Sequence, residues 1–263
     1  VVIEKGHVIK YRLPRNIIAR MQSLEYDRSF LAARILLDKI NANMIISGAF
    51  GLFEKKTVIA VGGYDNSTMG EDMELVVRLH EFSRMNRKPY KIHFAQDAIC
   101  WSQTPEKLSE LCKQRKRWQR GLFQCMWGHR KMLANPRYGA VGLLSYLYFL
   151  LYELLSPFIE LLGVLTMVLS VMMDMLNVKF MLVFLACYAL YGILLTLTAY
   201  FSRIYTIDQK LSFRELILAI IACFFETTFL HFYLVFVRVT AFVGYKKNKL
   251  NWGKLERKKM NRI

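Results

Sequence analysis

The sequence feature that most constrains the fold is an uncharged apolar run from Phe180 to Tyr200. A run of this length can cross a hydrocarbon core of about 30 Å as a single helix. Two further apolar segments lie on either side of it, at about Gly142–Met173 and Leu216–Val237. These segments exclude a simple soluble protein and predict a membrane region over residues 138–245 with about three apolar segments.

The basic charge of the chain lies mostly outside these segments. The sequence has 37 Lys and Arg residues against 20 Asp and Glu residues, a formal net charge of +17, and 54% hydrophobic residues. Such a hydrophobic content is not that of a disordered chain or a nucleic-acid-binding tail. No motif that reads RNA or DNA accompanies the charge. We therefore predict membrane lipids, and not nucleic acid, as partners, especially at the basic tail, residues 246–263.

The cysteines indicate a reducing environment for residues 1–137. None of them forms a Cys-x-x-Cys pair, so they are neither a disulfide framework nor a zinc site. We expect this part of the chain to face the cytoplasm. The five cysteines are Cys100, Cys112, Cys125, Cys187 and Cys223.

Predicted helices and strands alternate within residues 1–137, which is typical of an α/β domain. The strands are too few for a complete doubly wound sheet. We therefore expect further strands before Val1 and interpret this region as the C-terminal part of such a domain. The predicted helices are Arg15–Ile40, a helix that starts near Gly70, and a basic helix from Pro105 to about His129; the predicted strands are Asn43–Phe53, Tyr90–Phe94 and Ala98–Trp101.

The membrane region raises a conflict of topology. Its first segment is too long for one straight span, which favours an interfacial or re-entrant piece to about Ser156 and a span that begins at Pro157. The loop Ser202–Arg214 and the basic tail both carry the positive charge that marks the cytoplasmic side. One span cannot separate two cytoplasmic ends, so either the third segment is re-entrant or one loop breaks the rule.

Four ionisable residues lie inside the apolar segments, where a charge is costly and usually faces a partner or a wet path. They either line a channel for a growing polymer or pair with other polar groups. For Glu153 we favour pairing with Arg130, Lys131 or Arg137 at the membrane interface. The four residues are Glu153, Glu160, Glu226 and His231.

The first motif with chemical content is Gly70-Glu71-Asp72, at the start of a predicted helix. A carboxylate in the first turn of a helix is stabilised by the helix dipole and by free N–H groups, and it can act as a base. An acid at this position more often only caps the helix. For an isolated Asp we weigh that interpretation at roughly ten to one.

The second motif is Gln114-Arg115-Lys116-Arg117-Trp118, on the basic helix. Helical spacing predicts that Gln114, Arg117 and Trp118 share one face, with Arg115 and Lys116 to the side. That face combines an amide, a guanidinium that can hold a diphosphate, and an indole that suits the apolar face of a sugar. An amphipathic basic helix on anionic lipid is the alternative, at roughly even odds.

Together the two motifs, followed by apolar segments, resemble the membrane-integrated, family-2 inverting glycosyltransferases with a GT-A fold. This family includes the processive synthases of cellulose, hyaluronan, chitin and poly-N-acetylglucosamine. Its Gly-Glu-Asp motif matches Gly70 to Asp72, and its Gln-x-x-Arg-Trp helix matches Gln114 to Trp118. The segment Ser47-Gly48-Ala49-Phe50 is similar to the family's strand beside the acceptor site, and Glu25-Tyr26 also fits.

The resemblance implies roles for the residues that match. Asp72 would be the catalytic base, and the substrate-binding residues would be Glu71, Ser47, Gly48, Gln114, Arg117 and Trp118. The family uses a nucleotide-sugar donor, typically a UDP-sugar, with Mg²⁺ or Mn²⁺ held by an Asp-x-Asp motif. No Asp-x-Asp occurs in the 263 residues, so we assign no metal ligand here and expect those ligands upstream. The chain then corresponds to the C-terminal half of such an enzyme, inactive on its own.

The implied function is transfer of a sugar, with inversion, to a growing polysaccharide. The protein would be a multi-pass protein of the cytoplasmic membrane with its catalytic part facing the cytoplasm, and the resemblance leaves room for an accessory subunit. Two alternatives stay open. One is a non-processive transferase that adds one sugar to a lipid acceptor, and the other is a transport or anchoring protein without catalysis.

Overall fold

The computed structural model describes residues 2–4, 7–10, 14–95, 98, 100, 102–206 and 212–245. An antiparallel hairpin joins strands β1 (Val2–Glu4) and β2 (His7–Lys10). The remainder of the described chain is helical or irregular. Its α-helices are α1 (Ile17–Arg28), α2 (Arg34–Lys39), α3 (Lys55–Ala60), α4 (Glu71–Met85), α5 (Leu108–Gly128), α6 (Tyr146–Tyr148), α7 (Ser156–Met172), α8 (Val178–Thr206), α9 (Phe213–Phe225) and α10 (His231–Val239).

The predicted helix Arg15–Ile40 is confirmed, with slightly different limits. Asn16 caps α1, because its side-chain oxygen accepts hydrogen bonds from the amides of Ile18 and Ala19. A π-helical turn over Ser29–Ala33 joins α1 to α2 without a break. The long helix therefore extends from its contacts with α8 and α9 toward the irregular segments that follow it.

The strands predicted over Asn43–Phe53 and Tyr90–Phe94 are not formed, and the one predicted over Ala98–Trp101 lies partly outside the described residues. A strand requires a ladder of backbone hydrogen bonds with a neighbour. In the described segments a side chain replaces that ladder: Asn41 donates to the carbonyl of Tyr90 at 3.0 Å and accepts from the amide of Ile92 at 2.9 Å. The α/β architecture predicted for residues 1–137 is therefore not confirmed.

Helices α4 and α5 form the centre of the charged part of the chain. The predicted start of α4 after Gly70 is confirmed, whereas α5 begins at Leu108, three residues later than predicted, and ends at Gly128. Apolar residues of both helices are buried in one cluster with aromatic residues that follow α5. Its members include Met73, Val77, Cys125, Met126, Tyr146 and Phe149.

Three helical segments are long and apolar enough to cross a membrane, by length and composition. We call them the first, second and third apolar helices; they cover Val141–Met172, Val178–Tyr205 and Phe213–Phe242. The first contains π-helical turns up to Leu155 and continues as α7, with Pro157 in its first turn. This change occurs where the sequence predicted the start of a span.

The third apolar helix differs from the other two in its burial. It buries 44% of its most apolar stretch inside the protein, against 11% for each of the others. Its first part packs on α1 and α8, where Ala219, Ala222 and Cys223 surround Leu24 and Tyr200. Its last part packs on α5 and α7.

The four ionisable residues that the sequence places inside the apolar segments are paired. Glu153 lies 3.7 Å from Arg238, and Glu160 lies 2.6 Å from His231. The prediction that Arg130, Lys131 or Arg137 pairs with Glu153 is therefore wrong. The partner is Arg238, which lies in the third apolar helix, far from Glu153 in sequence. Glu226 forms a two-pronged ion pair with Arg28, at 2.9 and 3.0 Å.

Candidate active site

The carboxylate of Asp72 lies against the backbone of Gly48. One oxygen accepts a hydrogen bond from the Gly48 amide at 3.1 Å, and the other accepts one from the amide of Met73 at 2.9 Å. A β-carbon on Gly48 would lie 3.2 Å from both the β-carbon and an oxygen of Asp72. A side chain at position 48 would therefore crowd the carboxylate. The structure thus brings together Ser47-Gly48 and Asp72, which the sequence predicted as parts of one site.

A cleft opens beside this carboxylate. It has a volume of about 590 Å³, and Gly48, Tyr64, Asn66, Thr68, Glu71 and Asp72 line it. Burial raises the pKa of Glu71, the neighbouring Asp72 carboxylate raises it further, and the guanidinium of Arg117 opposes the change. The two carboxylates of the motif and Arg117 therefore influence one another electrostatically.

One face of α5 packs on the loop that leads into α4 and Asp72. The side-chain oxygen of Gln124 accepts hydrogen bonds from the amide of Met69 at 2.8 Å and the hydroxyl of Thr68 at 3.1 Å. Sequence analysis missed Gln124 and Gly121 as site residues. Their positions continue the face of Arg117 at helical spacing, and that spacing was the signal that could have identified them.

A second face of α5 packs on α1. Arg115 forms a two-pronged ion pair with Glu25, at 2.7 and 2.5 Å, and its side chain is only 10% exposed. Its guanidinium carbon lies 4.8 Å from the ring centre of Trp118, and the ring of Tyr26 lies 6.3 Å from the same indole. Arg115, which sequence analysis placed to the side of the functional face, therefore packs against Trp118.

Burial perturbs two further groups near this site. The amide oxygen of Gln114 is buried and has no hydrogen-bond partner within the described part of the chain. The guanidinium carbon of Arg34 lies 3.7 Å above the ring of Phe30. Burial lowers the pKa of Arg34 to about 10, while the carboxylates of Asp72 and Glu153 act in the opposite direction. Arg34 therefore stays charged at neutral pH and adds a cation near Asp72, which the sequence motifs did not indicate.

The described residues do not form a complete set of ligands for a metal ion. Among the described residues, no three His, Cys, Asp or Glu side chains come together as a group that could hold a metal ion.

The histidine nearest to the cleft in sequence, His80, is enclosed: its ring nitrogens contact the carbonyl of Asn43 at 2.8 Å and the hydroxyl of Tyr90 at 2.7 Å. Burial lowers the pKa of His80 to about 4, so it is neutral at pH 7.

Comparison with known protein families supports the class predicted from the motifs. Residues 5–240 match the family model described as glycosyl transferase family group 2, which covers most of the chain. The chain therefore belongs to the family-2 glycosyltransferases, and the resemblance stated from the sequence is confirmed.

Within this family the chain is similar to polysaccharide synthases. It is 31% identical over 126 residues to the poly-beta-1,6-N-acetyl-D-glucosamine synthase of Staphylococcus aureus (strain COL), and 30% identical over 126 residues to that of Staphylococcus epidermidis. Each alignment covers 48% of this chain and 28% of the relative. The chain thus spans about 28% of the length of the curated relatives it matches. No solved structure matches it significantly.

Proposed function

We propose that the protein is a membrane glycosyltransferase that transfers a sugar from a nucleotide-sugar donor to a growing polysaccharide, with inversion. The observation that carries this proposal is the position of Asp72. Its carboxylate borders an open cleft, is fixed by the Gly48 amide, and lies on α4, which packs against α5, the helix that carries the Gln114–Trp118 segment. A carboxylate so placed can take a proton from a bound hydroxyl group.

The proposed reaction is a single displacement. Asp72 accepts the proton of the acceptor hydroxyl as its oxygen attacks the anomeric carbon of the donor, and the nucleoside diphosphate leaves with the bonding electrons. Arg117 offsets the charge that develops on the diphosphate, since preorganised cations stabilise such a transition state. Trp118 stacks on the terminal acceptor sugar, and Gln114, four residues earlier on the same helix, is the residue we propose to bind one of its hydroxyls.

The family also implies Mg²⁺ or Mn²⁺, which would neutralise the diphosphate of the donor. The described residues do not supply a ligand set for it, so its ligands would come from elsewhere in the protein. The acceptor is a polymer and not a lipid in this proposal, because the similar proteins are named as polymer synthases. Poly-beta-1,6-N-acetyl-D-glucosamine is accordingly the first product to assay.

We also propose a membrane arrangement in which the chain crosses the cytoplasmic membrane twice, through the first and second apolar helices. The third apolar helix then lies against the inner face, with both ends in the cytoplasm. Its burial and its contacts with α1 and α5 support this arrangement. The loop Ser202–Arg214 and the basic tail are then both cytoplasmic, as their charge requires.

The test of the catalytic proposal is Asp72→Asn in the intact membrane-embedded protein. We expect polymer synthesis from the nucleotide sugar to fall at least about 100-fold, since general-base catalysis contributes at least that much. Donor binding, measured by calorimetry, should change little because Asp72 acts on the acceptor.

The matched control is Asp174→Asn, which removes the same charge in the exposed turn between the first and second apolar helices. This variant should retain the activity of the parent protein. Unchanged polymer synthesis in Asp72→Asn would remove Asp72 from the role of base.

A further inference from the structure

A second concave site lies away from the candidate active site, at the C-terminal end of α4. It has a volume of about 810 Å³, and its wall includes the side chains of Arg84, Arg87, Lys88 and Arg137. No Asp or Glu lines it. The uncharged polar residues Asn41, Ser83 and Tyr90 also line it. The site is therefore a basic pocket, and we use that name for it below.

The four cations of the basic pocket are not neutralised by the protein. Within the described part of the chain, none of them lies within 4.0 Å of a carboxylate oxygen, the separation that defines a salt bridge. Like charges brought together in a concave wall repel one another, and an anion bound between them removes that cost. A solvated basic surface would not need a concave shape.

The backbone at Arg87 adds an independent observation. Arg87 follows the end of α4 with a φ of 51°, in the left-handed region that glycine or asparagine usually occupies at this position. The amide of Lys88 donates to the carbonyl of Ser83 at 2.9 Å, which closes the helix around this residue. An arginine in such a conformation is strained, and this strained residue lies in the wall of the basic pocket.

Arg84 is held in place before any ligand binds. Its guanidinium donates to the hydroxyl of Tyr90 at 3.1 Å, and the guanidinium carbon lies 5.4 Å from the centre of that ring. A β-carbon at Gly139 would lie 3.1 Å from the guanidinium carbon, so the planar group rests directly over this glycine. A fixed guanidinium fork suits the oxygens of a phosphate group.

We propose that the basic pocket binds a phosphate-bearing anion, and that the headgroup of an anionic membrane lipid supplies it. Arg137 lies four residues before Val141, where the first apolar helix begins. The outer side of that helix starts with the exposed residues Leu143, Leu144 and Leu147. A phosphate bound at Arg137 would thus lie where the apolar surface of the protein begins, at the level of lipid headgroups.

The test uses the intact protein in zwitterionic detergent and two probes, dioctanoyl phosphatidylglycerol and inorganic phosphate, measured by calorimetry. Arg87→Gly removes one cation and also relieves the backbone strain, so a loss of binding cannot be attributed to unfolding. We expect Arg87→Gly and Arg137→Gln each to weaken binding of the lipid about tenfold.

Two controls isolate the pocket. Lys55→Gln removes one exposed cation from α3. Ala134→Gly relieves the backbone strain of another left-handed residue, with a φ of 51°, and does not change the charge. Both should bind the lipid as the parent does. Binding of inorganic phosphate but not of the lipid, with the same sensitivity to the two variants, would support the phosphate chemistry and overturn the lipid source. Absence of binding by both probes, or equal affinity in all variants, would overturn the proposal.

Discussion

At the scale of single residues, Trp118 combines a fixed orientation with an open face. Arg115 packs against its ring and Tyr26 lies beside it, yet 41% of its surface is exposed. The contact of a guanidinium with an indole is favourable, and the Glu25 carboxylate holds that guanidinium in turn. An aromatic plate held in this way can bind the apolar face of a sugar without losing conformational freedom when the sugar arrives.

We predict that Trp118→Ala raises the KM for an oligosaccharide acceptor about fivefold, since stacking on an aromatic ring contributes on the order of 1 kcal/mol. The KM for the donor should stay near its parent value. The control is Trp127→Ala on the same helix, where the indole is 62% exposed and stacks on Phe123. An equal rise in both variants would argue against acceptor stacking by Trp118.

Residues in local motifs were predictable, and residues with distant partners were not. The adjacency of Gly48 and Asp72 was expected from the family pattern, and the structure has the hydrogen bond that joins them. The importance of Arg115 was missed because its partner, Glu25, is 90 residues away in sequence. Arg34 was missed for the same reason, since only the fold brings it near both Asp72 and Glu153.

At the scale of elements, the site depends on a close approach of two helices. Gly121 of α5 faces Gly70, the residue before α4, and a β-carbon on Gly121 would lie 2.8 Å from the Gly70 nitrogen and 2.9 Å from its α-carbon. Backbone atoms cannot move aside as flexible side chains can. The absence of a side chain at position 121 therefore allows the start of α4, with Asp72, to lie close to α5, which carries the Gln114–Trp118 segment.

We predict that Gly121→Ala lowers polymer synthesis at least about tenfold, because it pushes the start of α4 away from α5 and shifts the carboxylate of Asp72. Gly128→Ala provides the control at the end of the same helix, where an added β-carbon meets nothing within 4 Å. Activity and protein level of both variants would be measured in membranes. Parent-like activity of Gly121→Ala would show that the close approach is dispensable.

Helices were more predictable than strands for a physical reason. The start of α4 and the extent of α1 and α2 follow from local capping and periodicity, so sequence predicted them within a few residues. A strand depends on a hydrogen-bonded neighbour that local sequence does not specify. The residues around Asn43 have strand-like composition, but the described chain offers them the side chain of Asn41 instead.

At the scale of the whole molecule, the proposed membrane arrangement makes a prediction about sidedness. Cysteine would be introduced at Met175, Ser212 and Val243, all of which are exposed, in a background whose accessible native cysteines are replaced by serine. We expect a membrane-impermeant maleimide to label Met175→Cys in intact cells. Ser212→Cys and Val243→Cys should react only after the membrane is permeabilised.

The comparison of Ser212→Cys with Val243→Cys is decisive, because these positions flank the third apolar helix. Labelling of one but not the other in intact cells would mean that this helix crosses the membrane. The conflict between charge and hydropathy could not be settled from sequence. Hydropathy reports how apolar a helix is, but not whether protein or lipid covers it.

The two side-chain contacts between the first and third apolar helices, Glu153–Arg238 and Glu160–His231, have a mechanical consequence. Glu153 and Glu160 are seven residues apart, as are His231 and Arg238, so two antiparallel helices are locked in one register at two points. Arg238 also donates to Gln119 of α5 at 2.8 Å. A force applied to α5 would therefore be transmitted to both helices together, and neither helix could slide alone without breaking both contacts.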